Sequence, residues 1–210
     1  MLIEKTALEI LNEIDSSSPT PGGGSVSALV AALGISLSGM YAHLSIHKKK
    51  FLALDESTRQ QFLEHFMTLE DLKKELTQAI DEDCKAYDHV MSACRLPKNT
   101  DEEIRFRQKE IQQATYIAIE SPYHIMELSL QASRLCEKMI SNGNKNAISD
   151  LACGIIFLDA AIQGASVNVE INLSSLDEKE RYEWNTKINH LLEESRHIKE
   201  KALLQIKTLL

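Results

Sequence analysis

Two stretches of this chain, Ser25 to Ile46 and Ser149 to Leu173, are apolar nearly all the way round and rich in alanine, serine and glycine. A helix with no polar face must be covered on every side or lie in a membrane. By length alone the first could cross a bilayer. Ser25, Ser27, Ser36, Ser38 and His43 interrupt it, however, and no second segment is of clear lipid grade. Both read better as the centre of a helical bundle, where small residues let neighbouring helices approach closely. Only 5 % of the residues are aromatic, and 210 residues contain four prolines and eight glycines, a composition that favours helices over sheets. No convincing strand, linker or internal repeat is present. The expectation is one all-α domain over residues 1–210, a bundle of six or seven helices around two buried small-residue helices. A domain of this size has limited interior for two such helices, which predicts a homodimer.

The remaining helices follow from periodicity and punctuation. Leu2 to Ile14 reads as a short helix with Leu8, Leu11 and Ile14 on or near one stripe. Asp55 to Cys94 carries the most regular stripe: Phe62, Phe66, Leu69, Lys73, Leu76, Ile80, Asp83, Tyr87, Val90, Cys94. Pro97 ends it, because the residue before a proline is pushed out of the helical region. Thr100-Asp-Glu-Glu103 is a capping box for the next helix, expected to reach Glu120. Ser121-Pro122 reads as the N-cap and first residue of a separate helix, running to about Ser141 and ending at Asn142-Gly143. Asp177 to Glu180 caps the last helix, with Trp184, Ile188, Leu191, Leu192 and Ile198 facing inward.

Three places on this frame could carry chemistry. Pro19-Thr-Pro-Gly-Gly-Gly-Ser25 leads into the first apolar helix, with Ser25 as the expected cap. Gly22, Gly23 and Gly24 leave backbone N–H groups bare at a helix start, which suits either an anionic or polar ligand or a close helix crossing. Asp83 lies on an apolar stripe and is too short to reach water as Lys73 can. A buried carboxylate is costly unless partnered. It is either tied to a neighbouring helix end or held at an active site with a shifted pKa; Asp81, off the stripe, should be solvated. Asn168 and Asn172 follow Gly164 at four-residue steps, so they either cap other helices or read a ligand. His43 and His47 have a metal-compatible spacing but no evident third ligand, and Lys48-Lys49-Lys50 is either a solvated helix end or an anion anchor.

The net charge of −8 argues against a general nucleic-acid binder, and no basic segment followed by an apolar one opens the chain as a secretory signal would. Cys84, Cys94, Cys136 and Cys153 are scattered without Cys-x-x-Cys, and read as reduced, mostly core thiols of a cytoplasmic protein.

The Gly-rich stretch with the following Val-Ser-Ala resembles the signature of the formimidoyltetrahydrofolate cyclodeaminase family. Asp81-Glu-Asp-Cys-Lys-Ala-Tyr87, Arg95-Leu-Pro-Lys98, Ser149-Asp150 and Gly164-Ala-Ser-Val-Asn-Val-Glu-Ile-Asn-Leu173 match in the same order. His47 stands where family members usually carry glycine. The resemblance implies closure of 5-formimidoyltetrahydrofolate to 5,10-methenyltetrahydrofolate with release of ammonia. Some relatives are methenyltetrahydrofolate cyclohydrolases, the alternative reading. A non-catalytic helical interaction module is the rival from another class, and it leaves Asp83 without a role. The family match also implies a homodimer with no metal or prosthetic group, and the charge and the interrupted apolar helix imply no nucleic-acid or membrane partner. Asp83 matches the family's proposed catalytic aspartate. Substrate contacts are expected from Gly22, Gly23, Gly24, Ser25, Asn144, Asp150 and Asn168. Lys48, Lys49, Arg95 and Lys98 are candidates for the anionic glutamate tail of a folate.

Overall fold

The computed structural model describes residues 1–209. Seven α-helices follow one another: α1 (Ala7–Ile14), α2 (Gly23–Ile46), α3 (Lys49–Leu52), α4 (Glu56–Cys94), α5 (Asp101–Met139), α6 (Ile148–Asn172) and α7 (Glu178–Leu209), with short 3-10 turns between some of them and no strand among the described residues. Helices α2, α4, α5 and α6 form a ring in which each packs on the next and α6 closes on α2. Side-chain pairings fix the directions. Gly23 faces Asn168 while Gly34 faces Gly154, so α2 and α6 run antiparallel. Ser25 meets Asp83 and His43 meets Phe66, so α2 and α4 do too. The result is an up-down four-helix bundle. α7 lies outside it against α5 and α6, pinned by Arg134–Glu194 and by Trp184 edge-on to Tyr123.

The seam between α2 and α6 depends on residues without bulk. A Cβ at Gly154 would come within 2.6 Å of the Gly34 carbonyl oxygen, and one at Gly164 within 2.6 Å of the Ser27 hydroxyl. Ser27, Ser38 and Ser45 return their hydroxyls to backbone carbonyls four residues back, so they are polar in name only within the core. Both central helices, the second against expectation, are long and apolar enough to span a bilayer, yet 61 % and 50 % of their most apolar windows is buried in the bundle. The remainder forms an outward apolar stripe: Leu33, Met40 and Leu44 on α2, Ile156, Phe157 and Val167 on α6.

Several expectations need correction. Residues 2–14 are a 3-10 turn and then α1, and Leu8 and Leu11 point out, 67 % and 62 % exposed; Ile10 is the buried member. The α4 stripe holds through Ile80 and then drifts to Ala86 and Ala93, so Tyr87 borders a cavity and Cys94 is exposed. Cys136 alone among the cysteines is fully buried.

Pro122 does not start a new helix. α5 runs unbroken for 39 residues with Pro122 inside it. A proline lacks the N–H that would bind the carbonyl four residues earlier, here that of Ala118. Asn172 of α6 takes that place, its Nδ2 donating to the Ala118 carbonyl at 2.8 Å. The defect is repaired by a residue 54 positions away.

Candidate active site

The bundle end at which α2 begins is where the Gly-rich stretch, α4 and α6 converge. α2 starts two residues earlier than expected, at Gly23, with Gly22 as a cap that has no side chain to offer. The early start is possible because nothing projects from the first turn. A Cβ on Gly23 would lie 2.8 Å from Asn168 Nδ2, and one on Gly24 would collide with the Asp83 carboxylate. Ser25 is therefore inside the first turn and does not cap. Its hydroxyl donates instead to Asp83 Oδ2 at 3.0 Å, and its backbone N–H also turns toward that carboxylate. Asp83 thus serves the free N–H groups of α2 from another helix.

Burial raises the Asp83 pKa above the ordinary carboxylate value, against the lowering pull of the Ser25 hydroxyl and N–H. Ser25 Oγ also lies 3.2 Å from Cys84 Sγ. Burial holds the Cys84 thiol protonated, helped by the carboxylates of Asp83, Asp81 and Asp88. Asp81 is half-buried rather than solvated: Oδ1 accepts the Leu2 N–H at 2.8 Å, and Oδ2 is buried without a partner.

A cavity of about 370 Å³ opens here, lined by Thr20, Gly22, Gly23, Asp83, Tyr87, Ala118, Asn168 and Asn172 among others. A groove of about 440 Å³ between α4 and α5 shares Ala86 with it. Asn168 donates to the Gly164 carbonyl at 2.8 Å, with its carboxamide against Gly23. The chemistry on offer is one titratable carboxylate in a mostly apolar pocket beside a helix N-terminus and carboxamides.

The structure gathers Gly22, Gly23, Gly24, Ser25, Asp83 and Asn168 at this end. It does not gather the other candidates. Lys48, Lys49, Asn144 and Asp150 lie at the opposite end of the α2–α6 pair, separated by the 24 residues of α2, roughly 35 Å of helix rise. Lys48, Asn144 and Lys145 line a smaller cavity of about 270 Å³ there. α2 ends at Ile46 with His47 as its cap, and Lys48 caps α3, so the lysines are not on the end of α2. Arg95 caps the C-terminus of α4, with Lys98 beyond it, 12 and 15 residues past Asp83, the first roughly 18 Å away along the axis. Cys84 was hidden by its reading as a core thiol. Its adjacency to Asp83 was the available signal. His43 packs edge-on to Phe66, and no cluster of three potential metal ligands occurs among the described residues.

A family model described as formiminotransferase-cyclodeaminase matches residues 6–203. The chain belongs to the formiminotransferase-cyclodeaminase family. It is 35 % identical over 205 residues to a protein named methenyltetrahydrofolate cyclohydrolase from Methylorubrum extorquens, covering 97 % of each. It is 35 % identical over 199 residues to a formimidoyltransferase-cyclodeaminase of Gallus gallus, covering 93 % of this chain and 36 % of that protein. A formiminotetrahydrofolate cyclodeaminase of Thermotoga maritima superposes with a TM-score of 0.80 at 24 % identity over 100 % of this chain and 98 % of its own, a likeness of fold.

Proposed function

We propose that this chain closes 5-formimidoyltetrahydrofolate to 5,10-methenyltetrahydrofolate and releases ammonia. The observation that carries the reading is Asp83, a half-buried carboxylate of raised pKa on the wall of the cavity where the Gly-rich turn meets α6. In the substrate, N10 attacks the protonated formimidoyl carbon to give a tetrahedral carbon bearing N5, N10 and an amino group. Asp83 takes the proton from N10 and returns it to the amino nitrogen, which departs as ammonia while the N5–C–N10 cation forms. One carboxylate whose pKa burial has raised serves both transfers. The substrate carries its own nucleophile, so no covalent enzyme intermediate is needed. The Gly22–Ser25 turn and Asn168 supply N–H and carboxamide groups to the pterin.

The second reading is hydrolysis of the methenyl bridge, favoured by the 97 % mutual coverage with the protein named methenyltetrahydrofolate cyclohydrolase. There Asp83 takes a proton from the attacking water. Ultraviolet absorbance separates the two, because the methenyl band appears in ring closure and disappears in hydrolysis. Asp83→Asn is expected to lower turnover of the active substrate by ~10²–10⁴-fold with folate binding retained. Near-normal turnover would remove Asp83 from the chemistry.

The active form is a homodimer. The outward apolar stripe of α2 and α6 runs the length of the bundle and is the face a second copy would cover. Two copies paired there about a two-fold axis perpendicular to the helices would set the basic end of one, Lys48 and Lys49, beside the Gly-rich end of the other. This arrangement accounts for tail-binding lysines that lie far from Asp83 within one chain.

A further inference from the structure

Asp83, Ser25 and Cys84 form a short line in which the hydroxyl of Ser25 sits between a carboxylate and a thiol, 3.0 Å from Asp83 Oδ2 and 3.2 Å from Cys84 Sγ. Ser25 is fully buried, so no water competes for its single proton. A hydroxyl can donate one hydrogen bond and accept others, and a thiol can do either weakly. We infer that Cys84 is a positioning residue for the reaction, the terminus of a reversible hydrogen-bond chain that keeps Asp83 partnered in both of its protonation states. The inference rests on the reading of Asp83 as the proton carrier.

When Asp83 is ionised, the Cys84 S–H donates to Ser25 Oγ and the Ser25 O–H donates to Asp83. When Asp83 has taken a proton, the chain reverses. The Asp83 O–H donates to Ser25 Oγ, and the Ser25 O–H turns to Cys84 Sγ. Each proton stays on its own atom and only the directions change. A fixed donor in place of Ser25, such as a lysine, would hold Asp83 permanently ionised. A purely apolar wall would hold it permanently protonated. A carboxylate that must both accept and return a proton needs the two states close in energy.

The surroundings leave this chain to set the balance. α2 faces Asp83 with Ser25 and glycines, and α6 with the neutral Asn168. α5 presents Ala118 in the cavity, with Glu120 and His124 across the separate groove beyond Ala86. On α4 itself the titratable neighbours are Tyr87, which lines the cavity, Cys84, the Asp81 and Asp88 carboxylates acting on Cys84, and Glu82, Lys85 and His89, which line the separate groove. The N-terminal 3-10 turn contributes the Leu2 N–H, already taken by Asp81. No cation among these residues pairs with Asp83.

The test is a carbon-13 NMR titration of the Asp83 carboxyl in the free protein, which needs no turnover. Ser25→Ala removes the donor to ionised Asp83, so the midpoint should rise. Cys84→Ala removes a weak thiol donor from the ionised state but the acceptor of the Ser25 O–H from the protonated one; the stranded O–H is the larger loss, so the midpoint should fall, by about 0.5–1 pH unit. Cys84→Ser keeps a group that both donates and accepts, and should return the midpoint toward that of the parent. A Cys84→Ala midpoint that is unchanged, or that moves in the same direction as that of Ser25→Ala, overturns the inference. So does a loss of Tm without a shift, which is what mere packing would give. The outcome for Asp83→Asn is separate. An active Asp83→Asn enzyme removes the catalytic reading while the midpoints still report the chain, and an inactive one with unmoved midpoints leaves the reading and removes the role of Cys84.

Discussion

A carboxylate that is harder to ionise in the folded protein than outside it leaves a thermodynamic trace. Burial raises the Asp83 pKa from its ordinary 3.8. The folded state therefore holds the Asp83 proton more tightly than the unfolded chain does. The stability this contributes is fully present below the unfolded pKa and is lost as pH rises through the folded one. At neutral pH the ionised group costs stability. Asp83→Asn, which still accepts the Ser25 hydroxyl, is expected to raise Tm at pH 7, with the gain vanishing in acid below the ordinary carboxylate pKa. Thermal unfolding of both proteins across that range checks it. A lower Tm for Asp83→Asn at neutral pH would make Asp83 a structural cap of α2. The inward direction of Asp83 was legible because Ile80, one turn before it, belongs to a regular stripe. Its contact with Ser25 was not, since that depends on two glycines letting α2 begin early. Asp159 was invisible for a similar reason. It is buried on α6 and accepts from Gln163, Ser195 and Lys199, two of which come from α7.

Among the helices, α5 is the one whose continuity is decided by another element. Local rules end a helix near Ser121-Pro122, but α5 continues and Asn172 supplies the missing donor to Ala118. Asn172→Ala should leave that carbonyl unpaired in the core and destabilise by about 1–3 kcal/mol. Pro122→Ala restores a backbone N–H for the same carbonyl. The cost of Asn172→Ala should therefore be much smaller in the Pro122→Ala background, and a denaturant double-mutant cycle measures the difference. Additive costs would mean that the Asn172–Ala118 bond does not repair the helix. The bundle itself was readable, since all-round apolarity of α2 and α6 and the spacing of caps are local signals. The separation of the lysines from the Gly-rich stretch was legible in the length of α2, but the end that Asn144 and Asp150 join was not, because it depends on which way α6 runs against α2.

For the whole molecule the outward apolar stripe is the feature with the largest consequence. Light scattering should give twice the mass of one chain, and charge placed on the stripe, as in Phe157→Glu with Leu33→Glu, should halve it. Lys48→Ala with Lys49→Ala should raise KM for polyglutamylated folate more than for the monoglutamate, with the dimer intact. Equal effects on the two substrates would leave these lysines as a solvated turn between α2 and α3. The length of α2 then has a genetic consequence. Asp83 and Lys48 stand beside opposite ends of α2, so in the proposed pair each site would draw its acid from one chain and its cations from the other. Two variants crippled at opposite ends, Asp83→Asn and the double lysine variant, would complement one another when mixed. Half of the re-assorted pairs would be hybrids, and each hybrid would carry one wholly native site beside one that lacks both groups.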